Sequence, residues 1–536
     1  MKDSFKPASY LLLMFALYVV FVSSAGCFSI GHLSDDHLNI ISASSSSLGE
    51  KFTGKVPYYS PHHYRPAWFV AIQLTQELSD LMGEGRESAF VSRAVNLILF
   101  FLLATLAALL VFRLSGSAIR SITASAAVLL YPNNVNSICW TIGLVDLMCG
   151  SLIFGCLLFS RSYADSGNKT SAMLSAVCLA LALLTKETAV TTALICYLFL
   201  LWTMPGTKKR RASIFVLQMI VTMVYILFRL TVTGSGPVEM MTAYSVSGSG
   251  RAVVLVQAVL SVILPFDYLT IRHALSAFTP ETLIIILLMI LLVAIILLTL
   301  IRNGAAGVMA KCSALFLVTI VPNLFAGYFR PQIVLIPFVL TATLFMVLLS
   351  GKISARKAVL LPTLSLIMIW TFISYKVVSQ WKEASDISRR TYGLLREIPA
   401  VEISNAVIIG LPGRLGQAHV LEYVTGTYNY LNPPTDGKIV SVSDAVHTSA
   451  LDEVSLESEI KQRMISGNAV ELSATGETQY FQITGSRQDS TTVNGVKIKL
   501  HGQNDFRKPT KITLEMAGTQ TPVYLLNNGK LSRLEF

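Results

Sequence analysis

Charge is what this 536-residue chain has little of. Only 14% of its residues are Asp, Glu, Lys or Arg, against 53% apolar ones. A soluble domain carries about a quarter charged residues, so the deficit, with a mean hydropathy of +0.60, excludes that class and points to a membrane. Cysteine is absent beyond Cys312, which excludes a disulfide framework there and leaves the compartment unmarked. Cys149 and Cys156 share a helix face, a spacing that reads as packing and not as metal binding.

What is present is a set of eleven long apolar runs: 9–30, 91–113, 118–131, 139–160, 171–186, 188–204, 212–233, 281–301, 309–326, 332–350 and 356–376. A hydrocarbon core of about 30 Å takes roughly 20 helical residues to cross, and helices satisfy their own backbone groups there. The runs therefore predict a polytopic α-helical membrane module over 1–376. A first outer loop spans 31–90, and a second, 234–280, carries a short apolar stretch, 252–264, that reads as an interfacial helix. Ser24-Ala25-Gly26-Cys27 approaches a lipoprotein cleavage site, but Ser24 fits it poorly, and the first run is read as a retained helix.

The net charge of +11 does not indicate nucleic acid. Much of it sits in loops carrying Arg113 and Arg120, Arg161 and Lys169, Lys208 to Arg211, Arg302 and Lys311, and Lys352 to Lys357. By the positive-inside rule that side is cytoplasmic, with attraction to anionic membrane lipid. Lys2 and Lys6 put the N-terminus there too. Eleven crossings then place 377–536 outside, as an extracytoplasmic soluble domain of mixed α/β character. Within it 379–397 reads as an exposed linking helix, 406–411 as a strand and 415–423 as a helix. The segments 469–473, 479–483, 491–500 with an Asn494-Gly495 turn, 511–516 and 523–526 read as strands.

Charges beside apolar spans are expensive and mark function. Asp35, Asp36, Arg65, Asp146, Lys186, Glu187, Arg229 and Arg330 mostly fall at outer ends of spans or in outer loops. Each has a bland reading, such as a helix end or a snorkelling side chain; together on one face they suggest a site. Carboxylates can deprotonate a nucleophile while Arg and Lys hold a phosphate that gains charge on leaving.

At these residues the chain resembles the GT-C superfamily of membrane glycosyltransferases, in particular the protein O-mannosyltransferases and TMTC-like proteins, over roughly 10–390. The carriers are Asp35-Asp36-His37 after the first span, Tyr64-Arg65-Pro66, and Trp140-Thr141-Ile142-Gly143-Leu144-Val145-Asp146, with Leu144 where the family has Arg. Lys186-Glu187, a later helix end with Tyr225 and Arg229, and Tyr328-Phe329-Arg330-Pro331 complete the set.

The resemblance implies transfer of a sugar from a polyprenyl-phosphate-linked donor to an acceptor hydroxyl at the outer face, usually with inversion. It implies catalysis by Asp35 as general base with Asp36, and His37 orienting or binding a metal, while Arg330, Arg65 and Lys186 hold the donor phosphate. Further candidates are His62, His63, Tyr64, Asp146, Glu187, Arg229 and Tyr328. A divalent metal ion is a candidate cofactor that the sequence does not require. The C-terminal domain lacks the helical repeats of TMTC proteins and the β-trefoil of eukaryotic O-mannosyltransferases. That favours a bacterial inner-membrane enzyme with a periplasmic domain, and leaves protein, lipid or glycan as the acceptor. Two other classes compete: a transporter or lipid flippase, and an inactive scaffold.

Overall fold

The structure, a computed structural model, describes the chain apart from residues 1–6, 60–63, 86, 235–247, 267–269, 272–273, 276–279, 325–328, 350–355, 399, 422–423, 433–440, 477, 484–489, 502–509, 517–520 and 535–536. His62, His63 and Tyr328 therefore lie outside the described residues.

Seven helices among the described residues are long and apolar enough to cross a membrane: Phe90–Ser115, Thr141–Ser166, Pro205–Thr233, Pro280–Arg302, Ala306–Leu324, Pro331–Leu348 and Leu361–Leu395. Shorter apolar helices cover Ser9–Ser24, Ala118–Leu130, Lys169–Thr185, Glu187–Thr203 and Arg251–Ile263. Every one of the eleven expected spans falls on a helix, so the chain is an integral membrane protein with a polytopic helical bundle and a C-terminal mixed-sheet domain.

The helices give the bundle two distinct ends. At one, basic loops knit together: Arg161 donates to the Arg113 carbonyl at 3.4 Å, and Arg210 to the Ala164 carbonyl at 3.4 Å. Phe90–Ser115 and Leu144–Ser166 run toward that end, whereas Lys169–Thr185 and Lys208–Thr233 run away from it. The charges at Arg93, Asp146, Lys186 and Arg229 thus fall at the opposite end. Arg251–Ile263 also sits there, where Tyr131 donates its hydroxyl to the Ser261 carbonyl.

Between Ala118–Leu130 and Leu144–Ser166 the chain makes a short helix, Pro132–Cys139, whose eight residues are all buried despite three asparagines. Proline sits at its first position, where no amide hydrogen bond is lost. Helix Arg356–Leu395 is a single element of 40 residues. The segment expected as an exposed linker, 379–397, is thus mostly its continuation, with Trp381, Ala384, Ile387 and Tyr392 buried against the rest of the molecule.

The C-terminal domain has two sheets. One runs in the order Lys530–Arg533, Val523–Asn527, Val407–Leu415, Ser443–Ala450, Tyr480–Ile483, with the middle three strands mutually parallel. The other, antiparallel, runs Ile460–Ser466, Ala469–Ala474, Lys511–Met516, Val496–His501, Ser490–Val493. Val407 and Ile409 pack between the sheets, while Ile408, Leu411 and Leu415 join the core shared with the bundle. Burial on both faces gives that strand its continuous apolar run. The Asn494-Gly495 turn has φ of 47° and 79°, the left-handed pair that such a hairpin requires. The helix expected over 415–423 is instead a tight turn. Gly416, at φ 55°, lets Ala418–His419 fold back on Arg414 and Leu415, and the helix begins later, at Val424–Leu431.

Candidate active site

Three of the expected residues, Asp36, Arg330 and Lys186, meet on one segment, 140–146, which itself carries Asp146. Asp36, at the start of helix Asp36–Ser44, accepts from the Leu33 amide at 2.9 Å and from the Ile142 amide at 3.2 Å. Arg330 sets its guanidinium over the Trp140 ring, 5.0 Å from the centroid, a cation–π contact. One turn past Ile142, Asp146 receives the Lys186 ammonium at 2.5 Å. The neighbour of Lys186, Glu187, accepts two hydrogen bonds from Arg65, one of them from Nε at 2.8 Å. The chain breaks helix at Lys186, whose φ of −153° is extended, and this break lets adjacent residues of opposite charge face different partners.

Arg65 stands just before Pro66, which opens helix Pro66–Leu81, and its guanidinium lies 5.7 Å from the Trp68 ring. Tyr64 is buried and donates to the Phe52 carbonyl at 2.8 Å. Arg229 is fully buried one turn from Tyr225, and Tyr225 lies within electrostatic reach of Arg229, Glu187 and Arg65.

Two carboxylates that are neighbours in sequence meet different surroundings. Asp35 is partly exposed. Asp36 is fully buried, and burial pushes its carboxyl up to about 6, against the opposing pull of Arg93 and the amides of Leu33 and Ile142. Arg93 is the residue that the sequence reading missed. It has no exposure, donates to the Gly31 carbonyl at 2.6 Å and to the Thr141 hydroxyl at 3.2 Å, and lies 4.0 Å from Asp36. An arginine three residues into an apolar run was the available signal.

His37 faces the C-terminal domain, with Nδ1 3.0 Å from the Thr427 hydroxyl and its ring 5.0 Å from that of Tyr430. Burial pushes its imidazole down to about 4, so it is neutral near pH 7. His32, also held down mainly by burial, pairs with Thr141 at 3.1 Å. Other domain contacts reach this segment and the helix before it: His419 stacks on Trp140 at 4.6 Å, and Asn136 donates to Gln417 at 2.7 Å.

A narrow cleft lies beside the Asp146–Lys186 pair, lined by Thr188, Thr191, Thr319 and Asn323 and by the apolar Ile153, Ile195, Ile336 and Pro337. It reaches Ile333, whose amide donates to the Arg330 carbonyl at 3.0 Å. Among the described residues no group of three or more His, Cys, Asp or Glu is placed to hold a metal ion.

No family model matches the chain, and neither does any curated protein. Among solved structures it is similar to ArnT from Cupriavidus metallidurans bound to undecaprenyl phosphate, at 11% identity and a TM-score of 0.43, over 83% of this chain and 94% of that one. It is also similar to the archaeal oligosaccharyltransferase AglB from Archaeoglobus fulgidus, in complex with an inhibitory peptide and a dolichol-phosphate. That match has 10% identity and a TM-score of 0.45, over 94% of this chain and 78% of that one. Both are distant likenesses of chain path.

Proposed function

We propose that the chain is a GT-C type glycosyltransferase that moves a sugar from a polyprenyl-phosphate-linked donor to an acceptor hydroxyl at the outer face of the membrane, with inversion. The observation that carries the reading is that segment 140–146 gathers the carboxylate of Asp36 at the Ile142 amide, the guanidinium of Arg330 on the Trp140 ring and the ammonium of Lys186 at Asp146, the last pair lining a cleft. This is the inventory for removing a proton from a hydroxyl while stabilising a departing phosphate.

Asp35, the more accessible carboxylate, takes the acceptor proton as attack on the anomeric carbon develops. Asp36 is fixed by two backbone amides and orients it. Lys186, which lines the cleft, and Arg330, whose carbonyl accepts from the lining residue Ile333, stabilise the leaving phosphate. Lys186 already has Asp146 as a partner, and Arg65 has Glu187, so each pair is close to neutral until the phosphate brings its own charge. Arg65 then acts through Glu187 to hold Lys186 in place.

Purified protein supplied with polyprenyl-phosphate sugars and a hydroxyl acceptor tests this. Asp35→Asn should abolish transfer with unchanged folding, and Arg330→Ala should raise the donor KM about ten-fold or more. Full activity in Asp35→Asn would sink the assignment; movement of lipid without glycosyl transfer would instead identify a flippase.

A further inference from the structure

The antiparallel sheet of the C-terminal domain buries one of its faces. Val470 and Leu472, Ile512 and Leu514, and Val496 and Ile498 turn inward to the core between the two sheets. The first sheet sends Ile408, Leu411 and Leu415 into the core shared with the bundle, so it stands between the bundle and the antiparallel sheet. The other face of the antiparallel sheet is therefore the side turned away from the bundle.

Alternation along each strand fixes what that outer face displays, and pairing aligns it in rows. In one row Lys461 lies beside Ser473, then Lys511, then His501; in the next, Arg463 lies beside Glu471, then Thr513, then Lys499. A third sets Glu515 beside Lys497 and Thr492. Each acid on the face is already taken by a lysine, Glu471 by Lys511 at 3.1 Å and Glu515 by Lys497 at 3.8 Å. Lys461, Arg463 and Lys499 are exposed and form no ion pair among the described residues.

This excess of one sign has a cost. Lys461 and Arg463 stand two residues apart on one strand, and Lys497 and Lys499 on another, about 7 Å apart on the same side. Like charges so placed repel each other. On Ile460–Ser466 the cations have a bland reading, because a free sheet edge is commonly guarded by Lys. Val496–His501 and Lys511–Met516 are interior strands, so their lysines guard no edge. A positive field kept on them fits a partner of opposite sign.

The rest of the face narrows the kind of partner. Small hydroxyl residues, Ser473, Thr492 and Thr513, stand between the cations, and the rows hold no aromatic ring. The large apolar side chains Met464 and Ile465 lie at one corner, beside the bulge. A folded protein anchors on an aromatic or aliphatic centre, and a single-stranded nucleic acid on rings that stack with its bases; the rows offer neither. A second copy of the same face would set cation against cation. Cations and hydroxyls spaced about 5–7 Å apart on a flat sheet suit a hydrated chain that repeats an anion.

We infer that the outer face of the antiparallel sheet docks an acidic polysaccharide, whose anionic groups meet Lys461, Arg463 and Lys499 while its hydroxyls exchange hydrogen bonds with Ser473 and Thr513. The surface is apart from the proposed transfer site and does not depend on that reading.

The test uses the full chain in nanodiscs of phosphatidylcholine. The probe is an oligouronate, with a neutral dextran of equal length as control and phosphatidylglycerol vesicles as the rival surface. Calorimetry should show saturable binding of the oligouronate at low salt and none of the dextran. Its log K should fall linearly with log[salt], with a slope of about −2, as the release of about three counterions requires. Arg463→Gln combined with Lys499→Gln should weaken binding about ten-fold and flatten the slope by more than half, with thermal unfolding confirming that the variant folds. Lys208→Gln combined with Lys209→Gln, in the basic loops at the other end of the bundle, should bind as the parent does. The inference fails if the oligouronate does not bind, if the Arg463 and Lys499 variant binds it unchanged, if the Lys208 and Lys209 variant loses it, or if vesicles bind through Arg463 and Lys499 and the glycan does not. Asp35→Asn should bind as the parent does, so loss of transfer and absence of this surface are read independently.

Discussion

At the scale of the residue, Asp36 and Arg93 make a pH-dependent pair. Because burial raises the Asp36 carboxyl to about 6 from an ordinary 3.8, the native state holds that proton more tightly than the unfolded chain. Stability from this group is therefore largest at low pH and falls as pH rises from about 4 through about 6. If ionised Asp36 orients Asp35, transfer should decline below about pH 6. Arg93→Gln removes the cation that favours the ionised form, and should move that limb to higher pH, with about a ten-fold loss of rate near neutrality. Rate profiles of the two proteins decide this, and an unmoved limb would exclude Arg93 from control of Asp36. The sequence announced both acids, because charge after an apolar run stands out. It could not announce that one of them is buried and the other is not. That difference comes from the packing that sets Asp36 against the amide of Ile142, and residues 36 and 142 meet only through tertiary structure. His37 illustrates the same limit: its partner, Thr427, belongs to the other domain.

At the scale of the element, segment 140–146 gathers the site, and Gly143 lets it do so. A Cβ there would run into the Ser137 carbonyl and its carbon, both backbone atoms that cannot swing aside. Gly143→Ala should cost about 1–3 kcal/mol, as overpacking does, and should lower transfer more than any change at the lipid-facing surface. Melting temperature and rate measured together check it; if neither changes, the close approach is not needed. Hydropathy made the spans legible, and Asn-Gly made one hairpin legible. Strands Ser443–Ala450 and Ile460–Ser466 were not. The first buries the polar His447, Thr448 and Ser449 in succession, and the second is exposed at nearly every residue, so neither shows the alternation that marks a half-buried strand.

At the scale of the molecule, the basic loops and the C-terminal domain occupy opposite ends of the bundle. Gly206 has open space around it, Asn528 is exposed, and all seven native cysteines are buried or partly buried. Single cysteines at these two positions should therefore be labelled by a membrane-impermeant maleimide from opposite sides of sealed vesicles; labelling from the same side would overturn the topology. Charge bias is the sequence's signal for that polarity and the labelling decides it, whereas the docking of the domain onto the first loop left no trace in composition. The 40-residue helix Arg356–Leu395 joins the two halves mechanically. It carries Pro362 near its start, the kind of position at which a helix bends. At 1.5 Å per residue, a tilt of about 5° there sweeps Leu395 through about 4 Å. The helix is thus a lever arm: any small rocking of its membrane span about Pro362 is magnified at the end that packs against the C-terminal domain.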